Sequence, residues 1–184
     1  MHLRGEEVTT TKTAPAIVPD FGDDAEDRKI AFICSKGNLD MAYPALIMAN
    51  GAVTEGVETH IFFTFCGMDM INKKTQDDLQ FTMLGNTAMH MPGSDKHIPQ
   101  GLGGLPGMTG YATKALKKQI AGLDVPEIPE FLHELHEMGV QLWACRMSVD
   151  MMGLEKEDLM DEVEDIINVH DFIELSDDAQ VIFV

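Results

Sequence analysis

Apolar positions along the chain fall into two alternating kinds of stretch. From about Lys29, short continuous runs are followed by longer stretches whose apolar residues recur at helical spacing. Residues 30–33 form the first run, and a turn through Ser35, Lys36, Gly37 and Asn38 leads to a helix over 39–54 that Gly56 ends. The second run, 57–65, is rich in β-branched and aromatic residues and reads as a buried strand stopped by Cys66 and Gly67. A helix over 128–138, closed by Gly139, precedes a third strand at 140–144. Beyond it the pattern predicts a helix over 154–164, a short strand over 165–169, a helix over 171–176 and a last strand over 180–184. Strands separated by helices in this way predict a layered α/β protein with a mostly parallel sheet.

Two segments escape both periods. Residues 1–28 carry threonines, Pro15, Pro19 and an acidic patch at Asp23, Asp24, Glu26 and Asp27, and read as a flexible N-terminal extension to a domain spanning 29–184. Residues 79–110 are rich in Gly, Pro and Met, and an insertion of that length inside a domain is usually functional or interfacial. Methionines 83, 89, 91 and 108 give it a pliable apolar surface. With Phe81, Leu84, Leu102 and Leu105, they would form a patch larger than a monomer normally exposes, which predicts a homo-oligomer with contacts through the insertion.

Composition narrows the function. At 184 residues, 45% hydrophobic and 24% charged, the chain is an ordinary globular protein, but its net charge is −18. That excludes the basic footprint of a nucleic-acid binder or of a protein held on an anionic membrane. The charge is uneven: residues 30–123 carry seven basic and seven acidic side chains, residues 124–184 two and seventeen. Solvation explains much of this, and a basic partner would find its surface there. No run of about 18 apolar residues and no secretory leader pattern occurs, and an odd number of cysteines suits a reducing compartment. A soluble, cytoplasmic protein is the expectation.

Candidate chemistry centres on those cysteines. Cys34, Cys66 and Cys145 each follow a predicted strand, so in a parallel sheet they would share the edge at which such folds bind ligands. Cys145 has the strongest local case for a thiolate, since Arg146, Ser148 and a helix start follow it, and both a cation and helix-terminal N–H groups favour the ionised form. The surrounding acids oppose it. The turn Cys34-Ser35-Lys36-Gly37 offers a second place for an anion, although Asn38 or Asp40 can equally cap the helix there. His133, Glu134, His136 and Glu137 share a helix face best read as solvated, and Met89-His90-Met91 has no neighbouring thiolate, so no metal is expected. Gly101-Leu102-Gly103-Gly104 lacks the strand and acidic residue of a dinucleotide fingerprint. No P-loop, Gly-x-Ser-x-Gly elbow or Cys-x-x-Cys pair occurs either, which predicts no cofactor.

Four strings taken together resemble the DsrE/DsrF-like sulfurtransferase family, in its long-insertion branch often named peroxiredoxin-like. They are Ile33-Cys34-Ser35-Lys36-Gly37-Asn38-Leu39-Asp40-Met41-Ala42-Tyr43-Pro44, Phe62-Phe63-Thr64-Phe65-Cys66-Gly67-Met68-Asp69, Leu105-Pro106-Gly107-Met108-Thr109, and Ala144-Cys145-Arg146-Met147-Ser148-Val149-Asp150-Met151. The resemblance covers about residues 29–184. It implies a DsrE-like three-layer α/β sandwich and sulfur trafficking, in which a cysteine carries sulfane sulfur as a persulfide or thiosulfonate. On that analogy Cys145 is the carrying catalytic thiol and Cys34 a second catalytic thiol. Lys36, Arg146 and Ser35 would then bind an anionic donor among the small inorganic sulfur species, and a basic sulfur-carrier protein is a candidate partner. Cys66 stands where relatives would carry an aromatic residue. The peroxiredoxin label finds no Pro-x-x-x-Thr-x-x-Cys motif here. Two other readings stay open: a non-catalytic scaffold subunit and a flavodoxin-like nucleotide binder.

Overall fold

All five predicted strands form, and they form one sheet. The computed structural model describes residues 28–86, 90 and 95–184, so the expected N-terminal extension and Met89 and Met91 lie outside the described residues. Strands β1 (Lys29–Cys34), β2 (Glu58–Phe63), β3 (Gln141–Cys145), β4 (Val163–Ile167) and β5 (Gln180–Phe183) lie in the order β4-β3-β2-β1-β5, and every neighbouring pair is parallel. Central β2 is buried on both faces from Thr59 to Phe63, so its apolar residues Ile61, Phe62 and Phe63 follow one another without alternation.

Helices α1 (Leu39–Thr54) and α4 (Ile128–Glu137) cover one face, and α3 (Met108–Ala121) joins the same apolar cluster through Ala112. There Phe32, Ile61, Phe63, Leu142 and Ala144 of the strands meet Leu46, Ala49, Leu132 and Leu135 in the larger of two apolar clusters. The opposite face holds the smaller cluster, built on Ala31, Phe62, Cys145 and Ile167, and α6 (Val169–Leu175) lays Phe172 on it with its ring stacked on Phe62 at 4.5 Å between centroids. Helix, sheet and helix make the three layers expected. Among the described residues no helix is long and apolar enough to cross a membrane.

The C-terminal third departs from the periodicity. Residues 154–164 are not a helix. They hold a 3-10 turn at Lys156–Asp158, a second turn at 161–162 and the first two residues of β4, and Leu159 and Met160 are buried. Met160 N–H donates to Ile71 O and Leu159 bridges Asn72, so apolar spacing that imitates a helix serves instead to plug the segment against residues 71–72. Strand β4 consequently starts two residues before the expected one. Helix α6 also begins early, because Asn168 caps it through the N–H groups of His170 and Asp171. Asn38 takes the N-cap position of α1 but makes no side-chain capping bond.

Residues 79–110 prove partly internal. Leu79, Phe81 and Met83 are buried, and Thr113 of α3 accepts from Phe81 N–H through its hydroxyl at 2.9 Å. A short helix α2 (Gln100–Gly103) and the unanticipated α3 follow. The patch expected from this segment is therefore smaller than its composition suggests, because Leu79, Phe81 and Met83 at its start pack into the larger core. Leu84, Leu102 and Leu105 do remain exposed.

Candidate functional site

The three cysteines end up near the same edge of the sheet but face different ways. Residues opposite one another in adjacent parallel strands share a face. Cys34 is opposite Phe63, and Phe63 is opposite Ala144, so Cys34 faces the larger core while Cys145, one residue beyond Ala144, faces the smaller one. Cys34 is 2% exposed, and burial pushes its thiol up to about 12. Cys66 is exposed in the 3-10 turn Phe65–Met70, in a cleft it shares with Gly37, Asn38 and Asp69.

Cys145 is 9% exposed and occupies the N-cap position of α5 (Arg146–Met152) with φ −76° and ψ 119°. A thiol is a poor cap and makes no full capping bond here, which leaves the first-turn N–H groups available to an anionic sulfur. Burial raises the thiol, but the Thr64 hydroxyl, the Ser148 N–H and hydroxyl and the Met147 N–H oppose it, and the balance lies below the ordinary thiol value. Hydrogen-bond donors produce this lowering: the sequence pointed to helix-terminal N–H groups and to the charge of Arg146, and of these the N–H groups contribute.

Thr64 and Ser148 were not among the site residues expected, and both are buried. Their hydroxyl oxygens stand 3.1 Å apart, and the Ser148 oxygen also accepts from Phe65 N–H at 2.8 Å. Phe65 has φ 47°, a left-handed backbone that a phenylalanine rarely adopts. That conformation turns its N–H onto Ser148, and its ring is 47% exposed. Strain of this kind collects at functional sites. Two glycines hold the turn in place. A Cβ on Gly67 would lie 2.1 Å from Cys34 O and one on Gly37 2.4 Å from Cys66 O, so the loops after β1 and β2 approach closer than any side chain permits.

The expected donor-binding residues are spread out. Arg146 is exposed and donates from its guanidinium to Ile166 O at 3.3 Å, one residue from Cys145. Ser35 gives both its N–H and its hydroxyl to Val184 O, at 2.9 and 3.0 Å, and so ties the end of β5 to β1. Lys36 is exposed beside Asn38, Asp40 and Thr82, in a cleft that includes neither Cys145 nor Cys34. On α4, His133 and His136 face Glu162 and Glu164 at 2.7 and 3.3 Å, which binds that helix to the approach to β4.

Cys145 thus ends β3 at the C-terminal edge of a parallel five-stranded sheet and stands at the N-terminus of a short helix. The sequence model of the DsrE/DsrF/DrsH-like family matches residues 26–184, and the chain belongs to that family. It is 40% identical over 140 residues to the sulfur carrier protein DsrE2 of Allochromatium vinosum, covering 76% of this chain and 87% of that one. It is 29% identical over 141 residues to the uncharacterized protein YrkE of Bacillus subtilis, covering 76% and 86%. Among solved structures, the protein of unknown function MTH1491 from Methanobacterium thermoautotrophicum superposes with a TM-score of 0.51 at 12% identity, over 86% of this chain and all of that one, which confirms the fold.

Proposed function

We propose that this protein is a sulfur carrier that holds sulfane sulfur on Cys145 and passes it to a partner. The observation that carries the reading is the donor set around Cys145: two hydroxyls and two first-turn N–H groups that favour the thiolate in a site only 9% exposed. The thiolate is the form that attacks an outer sulfur. With thiosulfate as donor, the Cys145 thiolate bonds the outer sulfur, the S–S bond breaks, and sulfite leaves with the bonding pair, so a persulfide anion replaces the thiolate with no external oxidant. Similarity to a protein named as a sulfur carrier supports the reading.

Arg146 is the cation placed to receive an anionic donor, since its residue adjoins Cys145 and its side chain is exposed. Ser35 is committed to Val184, and Lys36 serves at most a more distant part of the donor's approach. Cys34, buried on the opposite face, is read here as a core side chain rather than an exchange partner. For the accepting protein, the acidic C-terminal third favours a basic surface, and three free cysteines favour a reducing cytoplasm. Incubation with thiosulfate, tetrathionate or polysulfide followed by intact mass tests the proposal. Sulfur adducts on the wild type and none on Cys145→Ser support it, and equal loading of the two rejects it. A scaffold subunit would take no adduct, and a flavodoxin-like binder would purify with flavin absorbance.

A further inference from the structure

Strand β5 closes one edge of the sheet, and its backbone shows what that edge accepts. Val184 donates its N–H to Ile33 O at 2.8 Å and accepts Ser35 N–H at 2.9 Å, so its peptide groups point inward to β1. Peptide groups alternate in direction along a strand. Those of Ile182 and Gln180 therefore also point inward, while the N–H and C=O of Val181 and Phe183 point away from the sheet. Among the described residues no strand pairs on that side. The side chains of the same two residues lie on the thinly covered face, in register with Ala31 and Ile33, and are 47% and 70% exposed.

Natural edges are usually blunted by a lysine, a proline or a bulge. Residues 179–184 (Ala-Gln-Val-Ile-Phe-Val) contain no charge and no proline, and the β1–β5 register runs without interruption. An edge left this open is suited to strand addition.

We propose that β5 pairs antiparallel with β5 of a second copy of this chain, about a two-fold axis through Ile182. That axis sets Val181 of each copy opposite Phe183 of the other. Both residues direct their peptide groups outward, so each pair is of the closely bonded kind that exchanges two N–H···O bonds, and the four groups of each edge are used at once. A slip of one residue would oppose outward groups with inward ones and lose all of them. The same register brings a Val181 side chain across from a Phe183 side chain on one face, a favourable branched–aromatic pairing made twice. The self-repulsion expected between two acidic C-terminal thirds is weakened here, because the paired segment has no charged side chain and Asp177 and Asp178 lie outside it. Antiparallel pairing also sends the C-terminal edges of the two sheets in opposite directions, so both Cys145 sites stay open to partners. This interface is separate from the insertion and does not depend on the sulfur-carrier reading.

Sedimentation of the full chain over a range of concentrations tests the proposal, alongside Val181→Pro and Phe183→Lys. Proline at 181 removes an outward N–H and leaves the inward pairing intact. Lysine at 183 places a charge on a side chain that is already exposed. The expected result is a mass of two copies, or an even multiple, for the wild type. Each variant should keep a native circular dichroism spectrum and dissociate at concentrations at least tenfold higher. A monomeric wild type overturns the proposal, as does unchanged association in folded Phe183→Lys, which carries the test if the proline variant does not fold. An oligomer that survives both variants but is lost when residues 79–110 are replaced by a Gly/Ser linker also overturns it, and assigns the interface to the insertion.

Discussion

The Thr64 and Ser148 hydroxyls meet at 3.1 Å although 84 positions separate them in the chain. One comes from the residue after β2 and the other from the first turn of α5, and the two elements are neighbours only because β2 and β3 pair in parallel. Each hydroxyl has one proton to give. When Cys145 is a thiol, one hydroxyl can donate to the other. When it is a thiolate, both protons can turn to the sulfur, while Phe65 N–H continues to satisfy the Ser148 oxygen. The pair thus favours the anion without a positive charge.

Ser148→Ala should therefore raise the Cys145 thiol toward its ordinary value and also strand the Phe65 N–H. The first effect is read as an upward displacement of the pH profile of Cys145 alkylation by iodoacetamide, followed by mass spectrometry at that site. The second costs about 1–3 kcal/mol in urea unfolding. Thr64→Val should displace the profile in the same direction, with less effect on Phe65. An unmoved profile in both variants would leave the helix N–H groups as the source of the lowering.

The two buried cysteines make opposite contributions to stability as pH rises. Cys145 ionises below its unfolded value near 9.0, so its contribution is complete above about pH 9 and is lost as pH falls through its folded value. Cys34 ionises only near 12, so its contribution is complete below 9.0 and is lost as pH rises toward 12. Between those two values the wild type should lose stability relative to Cys34→Ala with a slope of about 1.4 kcal/mol per pH unit. Urea midpoints for both proteins at pH 8, 9, 10 and 11, about one unit apart, measure the difference.

Arg146→Gln should slow loading from thiosulfate while leaving loading from a neutral organic trisulfide nearly unchanged. Its guanidinium is exposed and, among the described residues, donates through one nitrogen to Ile166 O, so its service to an anion is electrostatic and should weaken with salt. Equal slowing with both donors would instead mean that Arg146 positions α5.

Hydrophobic runs are enough to read β1, β3 and β5 to within about a residue, because strands buried in a parallel sheet leave little room for polar side chains. The same logic misreads residues 154–164. Leu159, Met160 and Val163 are spaced as on a helix, but Leu159 and Met160 meet Asn72 and Ile71, far away in the chain, and Val163 pairs with Leu142 in the sheet. Cys145 was legible from its place between a strand and a helix start. Its companions were harder to see. Ser148 was noted only as a neighbour of Cys145, Thr64 stands out only as a small hydroxyl residue among phenylalanines, and nothing local says that they meet. The face on which Cys34 lies follows from strand register, which periodicity does not supply across a pair of strands. That register is what separates the two thiols.

Gly67→Ala tests whether the close approach of the two loops is what builds the site. The new Cβ would meet Cys34 O at 2.1 Å, and because that oxygen also accepts Thr64 N–H at 2.9 Å, neither backbone can retreat without loosening the other. The expected cost is about 3 kcal/mol or more, as for overpacking against rigid backbone. The turn that carries Phe65 should shift with it, so Ser148 loses its N–H donor and the Cys145 alkylation profile moves to higher pH. Gly51→Ala is the matched control. Nothing lies within 4 Å of the Cβ it adds, and an alanine inside α1 should stabilise by about 0.5–1 kcal/mol. If Gly67→Ala folds with wild-type stability and an unmoved alkylation profile, the loop contact does not position the cysteine and α5 alone does.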